Sequence, residues 1–321
     1  MIKINNNPYS KVCGFNYSPS YAAVLNDIFD HFDSSVIEKE LQWAKQLGIN
    51  SIRIWMSDVS FSRNENNFFK NFEKFLGIAA KNKMTVMPTF FNRWIDANWP
   101  IGQLDMAEAL GRPNEVKKSY IKNTVQNFKS DERILMWDMC NEPFCYPFQN
   151  GNIYDEIFML EVDFFRECVD ICRSSEPGCP ITVGYGSEYN PKADKLSDEL
   201  SVMSCHPYMG WDDGTFEDFL IPFIEYSNKR NIPLVCTETC QGSLSDETRN
   251  ECIKKSLGAL QKYQMGWYAW SLCSGVMVST RPDRTDLNAL QNDRGYFPFI
   301  LPDGIVRPGH EVIREFTGMK E

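Results

Sequence analysis

Eight short apolar runs, separated by segments of helical periodicity, constrain this chain more than any other feature of its sequence. They read KVCGFNY (11–17), SIRIWM (51–56), TVMPTFF (85–91), ILMWDMC (134–140), ITVGY (181–185), SVMSC (201–205), PLVCTE (233–238) and GWYAWSL (266–272). Most are continuously apolar, the pattern of parallel strands buried on both faces. Between the first two, Ile37, Leu41, Ala44 and Leu47 share one helical face. Ser35 and Glu38 stand ahead of them with capping-box spacing, and Gly48 follows as a C-terminal stop. Further amphipathic stretches cover 66–82, 114–129, 154–175, 216–229, 246–263 and 310–317, with Thr215 and Asp218 as a second capping-box pair and the weakest helical signal at 191–200. Eight strand–helix units in 321 residues predict one α/β domain over 1–321, a (β/α)8 TIM barrel. The rival, an open doubly wound sheet, usually carries a glycine-rich phosphate loop after a strand, and neither the dinucleotide nor the P-loop pattern occurs.

In such a barrel the chemistry sits at the C-terminal ends of the strands. Strand four runs into Asn141-Glu142-Pro143 and strand seven into Thr237-Glu238-Thr239, so two carboxylates leave otherwise apolar runs on opposite walls. Two carboxyls about 5 Å apart are what a retaining glycosidase needs, one to attack the anomeric carbon and the other to donate and later accept a proton. Arg53 lies inside the apolar run SIRIWM, where a guanidinium requires an anionic partner. Glu238 is the expected partner, held ionised by that pairing, while Glu142 in a less charged setting keeps its proton. Strand six ends in His206-Pro207-Tyr208, and strand eight brings Trp270, a flat surface on which a sugar can stack. Together these residues describe a saccharide site.

The formal charge of −10, from 33 basic and 43 acidic residues, has the wrong sign for a surface that neutralises phosphates, so nucleic acid is not an expected partner. No run approaches the apolar length that spans a bilayer, and a membrane is not expected either. The N-terminus MIKINNNPYSKVCGFNYSP lacks the apolar core of a secretory signal. The chain as written is therefore expected in the cytoplasm, and one from which a signal had been removed would be secreted. The 11 cysteines, an odd number scattered through apolar runs, suit a reducing compartment. Cys140, Cys205, Cys240 and His206 fall near strand ends without metal-ligand spacing, so neither a metal nor an organic cofactor is expected.

The chain resembles the retaining glycoside hydrolases built on the (β/α)8 barrel, nearest to the cellulase-like family 5. The most specific piece is DERILMWDMCNEP, with an asparagine before the strand-four glutamate, and the tail GYFPFILPDGIVRPGHEVIREF is similar to the family's run into its last helix. The resemblance implies Glu142 as acid/base and Glu238 as nucleophile. It further implies that Arg53 and Tyr208 contact the nucleophile, that Asn141 hydrogen-bonds the sugar 2-hydroxyl, that His206 lines the site and that Trp270 forms the platform. One departure stands out: where the family commonly has a histidine near the end of strand three, this chain reads PTFFNRW, offering Asn92, Arg93 and Trp94.

Trp94 and Trp211, in long loops after strands three and six, are expected to stack on sugar rings. The loop 274–295 is long for a strand-to-helix connection and rich in Arg and Asp, and it is expected to close one end of the cleft and favour exo action. The expected function is hydrolysis of β-linked glucan- or mannan-type oligo- or polysaccharides. The alternative is a non-catalytic carbohydrate-binding barrel with misplaced carboxylates. A Schiff-base aldolase would need a lysine at the C-terminal end of a strand, and none stands there in the runs named.

Overall fold

The computed structural model describes residues 4, 7–92, 111–145, 151–186, 188–208, 215–281 and 296–318. Eight parallel strands close into a barrel in sequence order, β1 (Cys13–Tyr17), β2 (Ser51–Trp55), β3 (Thr85–Asn92), β4 (Trp137–Asn141), β5 (Ile181–Tyr185), β6 (Met203–Cys205), β7 (Leu234–Thr239) and β8 (Trp267–Ala269), with β8 pairing back onto β1. The expected (β/α)8 architecture is present. Nearly every strand residue is buried, as the continuous apolar runs require, because side chains on one face fill the barrel and those on the other meet the helices.

Helices Ser34–Gln46, Glu65–Lys81, Glu115–Phe128, Asn152–Ser174, Thr215–Arg230 and Asp246–Lys262 follow the strands on the outside. Two short helices, Asp27–Asp30 and Asp58–Arg63, add to the expected set, and the weak segment at 191–200 contains only a 3-10 turn and the single turn Asp194–Ser197. Both capping boxes are displaced. Asp33 caps the first long helix, its carboxylate accepting from the amides of Ser35 and Val36, so Ser35 is already helical. A carboxylate satisfies those orphan amides and also suits the positive end of the helix dipole. Thr215 likewise lies inside its helix. Strand four starts later than its apolar run, since Ile134 makes only an isolated bridge to Val86.

The interior of the barrel is layered. Met87, Met136, Val202, Val235 and Tyr268 form a small apolar floor of their own, apart from the main core between sheet and helices. The Tyr268 ring sweeps across it, and a Cβ on Gly14 would lie 2.2 Å from that ring. Above the floor the inward positions become polar with Asn16, Arg53, Thr89 and Asp138, all buried.

Candidate active site

Arg53 organises the polar layer. Its five N–H groups meet partners from three other strands: Nε and Nη2 donate to Asp138 Oδ2 at 3.0 and 2.7 Å, Nη2 to Asn141 Oδ1 at 3.0 Å, and Nη1 to Asn16 Oδ1 at 2.8 Å and Glu238 Oε2 at 3.4 Å. The expected partner Glu238 is therefore in contact, but the short, two-pronged pairing is with Asp138. Asp138 also accepts from the Thr89 hydroxyl and from the amides of Cys140 and Gly184. The acid next to the guanidinium in height is the inward residue of β4, whereas Glu238 stands at the strand exit above it.

Glu142 leaves β4 with φ 51°, in the left-handed region that a non-glycine residue adopts only when its surroundings impose it. Its amide donates to Gly184 O at 2.8 Å. Gly186 lies against the side chain: a Cβ there would stand 2.5 Å from Glu142 Cγ. Both carboxylate-bearing strands slip in register just before or around the acid, β4 between Asp138 and Asn141 and β7 between Cys236 and Thr239. Such irregularities re-aim side chains, and they recur beside active sites. As a result one oxygen of Glu142, one oxygen of Glu238 and a ring nitrogen of His206 all lie within 4.8 Å of one another.

His206 sits behind Glu142 and not at the open mouth. It is fully enclosed, with Nδ1 2.9 Å from Glu142 Oε1 and Nε2 2.9 Å from Thr237 Oγ1. Tyr208 is half-buried and donates its hydroxyl to Glu238 Oε1 at 2.5 Å. Asn141 is committed on both sides of its amide, accepting from Arg53 and donating to Asn92 Oδ1 at 3.1 Å. Trp270 is partly exposed and packs its ring against Trp55 at 5.8 Å. Trp94, Trp211, Arg93 and the stretch 282–295 of the long loop lie outside the described residues. Sequence reasoning missed Asp138, Asn16 and Thr237. Asp138, a charge inside the apolar ILMWDMC, carried the same signal that singled out Arg53.

Burial is the dominant electrostatic force. It pushes the Glu238 carboxyl above the ordinary range, Glu142 adds to the rise, and His206, Arg53 and the Tyr208 hydroxyl oppose it without reversing it. Arg53 does lower this carboxyl, but the expectation that the pairing decides its charge state is corrected: the guanidinium is mainly engaged by Asp138, and desolvation sets the net direction. Burial pushes His206 down to about 4, with Glu238 opposing and Arg53 assisting. Two carboxylates and an imidazole are also a donor set for a divalent cation, yet here each has a protein partner, His206 on Glu142 and Glu238 on Tyr208 and Arg53.

The family model described as Cellulase (glycosyl hydrolase family 5) matches residues 26–275, most of the barrel and both carboxylates. The chain belongs to glycosyl hydrolase family 5. It matches no curated protein. Among solved structures it is similar to the exo-β-1,4-mannosidase Op5Man5 from Opitutaceae bacterium strain TAV5, at 16% identity and TM-score 0.70, covering 98% of this chain and 62% of that one. A GH5_18 protein from Streptomyces cattleya in complex with GlcNAc is similar at 13% identity and TM-score 0.73, with 95% and 79% of the two chains covered. The hyperthermostable endo-1,4-β-D-mannanase from Thermotoga petrophila RKU-1 follows at 17% identity and TM-score 0.65, with 96% and 99% covered. At these identities the likeness is one of fold. The family 5 chain thus spans about three fifths of the mannosidase. Among the described residues, no helix is long and apolar enough to cross a membrane.

Proposed function

We propose that the protein hydrolyses β-linked glucan- or mannan-type oligo- or polysaccharides with retention of anomeric configuration. The observation that carries this reading is the meeting of Glu142 and Glu238 within 4.8 Å at the mouth of the barrel. Retaining enzymes hold their carboxyls about 5–5.5 Å apart, and inverting ones need several ångströms more to admit a water. Glu238, between Arg53 and Tyr208, attacks the anomeric carbon. A bond forms to its carboxylate oxygen as the bond to the leaving oxygen breaks, and Glu142 gives that oxygen its proton. Water then attacks the same carbon, passes a proton to Glu142 and displaces Glu238, so two inversions restore the starting configuration. Trp270, partly exposed beside Trp55, is the platform under the sugar. The scatter of cysteines through apolar runs of the sequence favours a reducing, cytoplasmic setting.

The test is trapping with a 2-fluoro glycosyl fluoride of the gluco or manno series. The expected result is one added glycosyl mass on a peptide containing Glu238, and a loss of at least ~10³-fold in turnover for Glu238→Ala. Label on another residue, or near wild-type turnover of Glu238→Ala on an aryl glycoside, overturns the assignment. Exo action is the finer part of the proposal, resting on the length and charge of the 274–295 loop. A long β-mannan or β-glucan chain should release short products from its ends, and random internal cuts reject it.

A further inference from the structure

Three hydrogen-bonding groups stand in line behind the candidate proton donor: Glu142 Oε1, the His206 ring and the Thr237 hydroxyl, with 2.9 Å between each neighbouring pair. Near neutrality the buried ring is uncharged and carries a single N–H, so two arrangements are open. In one, Nε2–H donates to Thr237 Oγ1 and Nδ1 accepts a proton held on Glu142 Oε1. In the other, the Thr237 hydroxyl donates to Nε2 and Nδ1–H donates to Oε1.

Thr237 decides between them. Its side chain is fully buried in β7, and among the described residues its hydroxyl meets only Nε2. In the first arrangement that hydroxyl proton has no acceptor, and a buried unmatched donor bears the full cost of its lost hydration. In the second, every donor in the line finds an acceptor. The ring has little freedom to escape the choice, since it is enclosed and a Cβ on Gly184 would already stand 2.9 Å from Nε2.

We propose that Thr237 is a positioning residue that locks His206 in its Nδ1–H tautomer, and that this N–H reserves Oε1 of Glu142 as an acceptor so that the acid proton is carried on Oε2. The catalytic meaning of this lock rests on the hydrolase reading above; the tautomer itself does not. With Oε1 occupied by the ring, the proton on Oε2 passes to the leaving oxygen in the first step, and the proton from water returns to Oε2 in the second. The ring keeps its one proton throughout. The opposite tautomer would draw the acid proton onto Oε1, into the ring and away from the sugar.

The chain has 3 histidines, so a long-range proton–nitrogen correlation spectrum of the free protein near pH 7 resolves them, with His31→Gln and His310→Gln giving the assignment. The expected result is a His206 signal with the proton on Nδ1; a proton on Nε2, or an even mixture, overturns the proposal. Because the spectrum needs no turnover, an Nδ1–H signal from a chain that hydrolyses no glycoside supports the tautomer and fails the hydrolase reading instead. Thr237→Val is expected to slow an unactivated oligosaccharide by ~10-fold or more, where proton donation matters, and to leave a dinitrophenyl glycoside within about threefold of wild type. Thr237→Ser is expected to restore both the rate and the Nδ1–H signal. Equal losses on the two substrates, or a Thr237→Val spectrum still showing pure Nδ1–H, overturn the proposal, as does failure of Thr237→Ser to restore them.

Discussion

Asp138 and Arg53 form a fully buried pair at the centre of the polar layer. Replacing one member of such a pair leaves an uncompensated charge, at a cost of about 3–5 kcal/mol. Asp138→Asn is therefore expected to lower stability by that order in denaturant unfolding and to reduce turnover as well, because the guanidinium it anchors also touches Asn141 and Glu238. Retained stability with an intact rate would refute the account of this pair. The charge in SIRIWM was legible because a guanidinium in an apolar run must be paired. Its chief partner was not, because partner choice depends on the height of each inward side chain along the barrel axis, and a one-dimensional reading has no such height. Glu142 and Glu238 were legible for the opposite reason: strand exits are marked where apolar runs stop. Thr237 carried no signal of its own, being an ordinary strand residue until its hydroxyl is seen against His206.

At the level of the elements, the strands were legible from their apolar runs and the long helices from their spacing. The cap of the first long helix moved by two residues because Asp33 and Ser35 compete for the same amides, and Asp33 outcompetes Ser35 through its charge. The register slips in β4 and β7 had no sequence mark, since neither run carries a glycine or proline at the slip. Their effect is large all the same, for they turn Asn141 and Glu142 to the mouth in company with Glu238. Gly186, just beyond β5, leaves the space that the turned Glu142 occupies. Gly186→Ala is expected to displace that carboxylate and lower turnover about 10²-fold, the usual cost of misplacing a reacting group by about 1 Å, with the far-ultraviolet spectrum unchanged. Unaltered kinetics in a folded Gly186→Ala protein would show that the carboxylate has slack that the packing denies.

For the molecule as a whole, folding encloses two imidazoles and disfavours their charged form. His206 is pushed down to about 4, and His310, packed edge-on against Phe299, to about 3 by burial, with Arg249 and Arg307 adding to the effect. Both folded values lie below the ordinary 6.5, so the stability they contribute is fully present above 6.5 and is lost as the pH falls through 6.5 towards 4 and 3. The thermal midpoint is expected to decline over that interval, and less steeply in His310→Gln. A flat profile, or one identical in the variant, would exclude the buried imidazoles as its source. Glu238 has the opposite sign: its raised carboxyl favours the protonated form, so the penalty for ionising it grows as the pH rises through its folded value. The barrel thus holds one of its two candidate catalytic carboxyls at a cost to its own stability.

The single guanidinium that ties β2 to three other strands also marks a boundary within the fold. Below its level, residues such as Tyr268 and Met87 are committed to keeping the cylinder shut; above it, the strand exits and their loops are free to diverge. A redesign of the proposed sugar site has its working room on the upper side of that line, and a redesign aimed at durability has it on the lower.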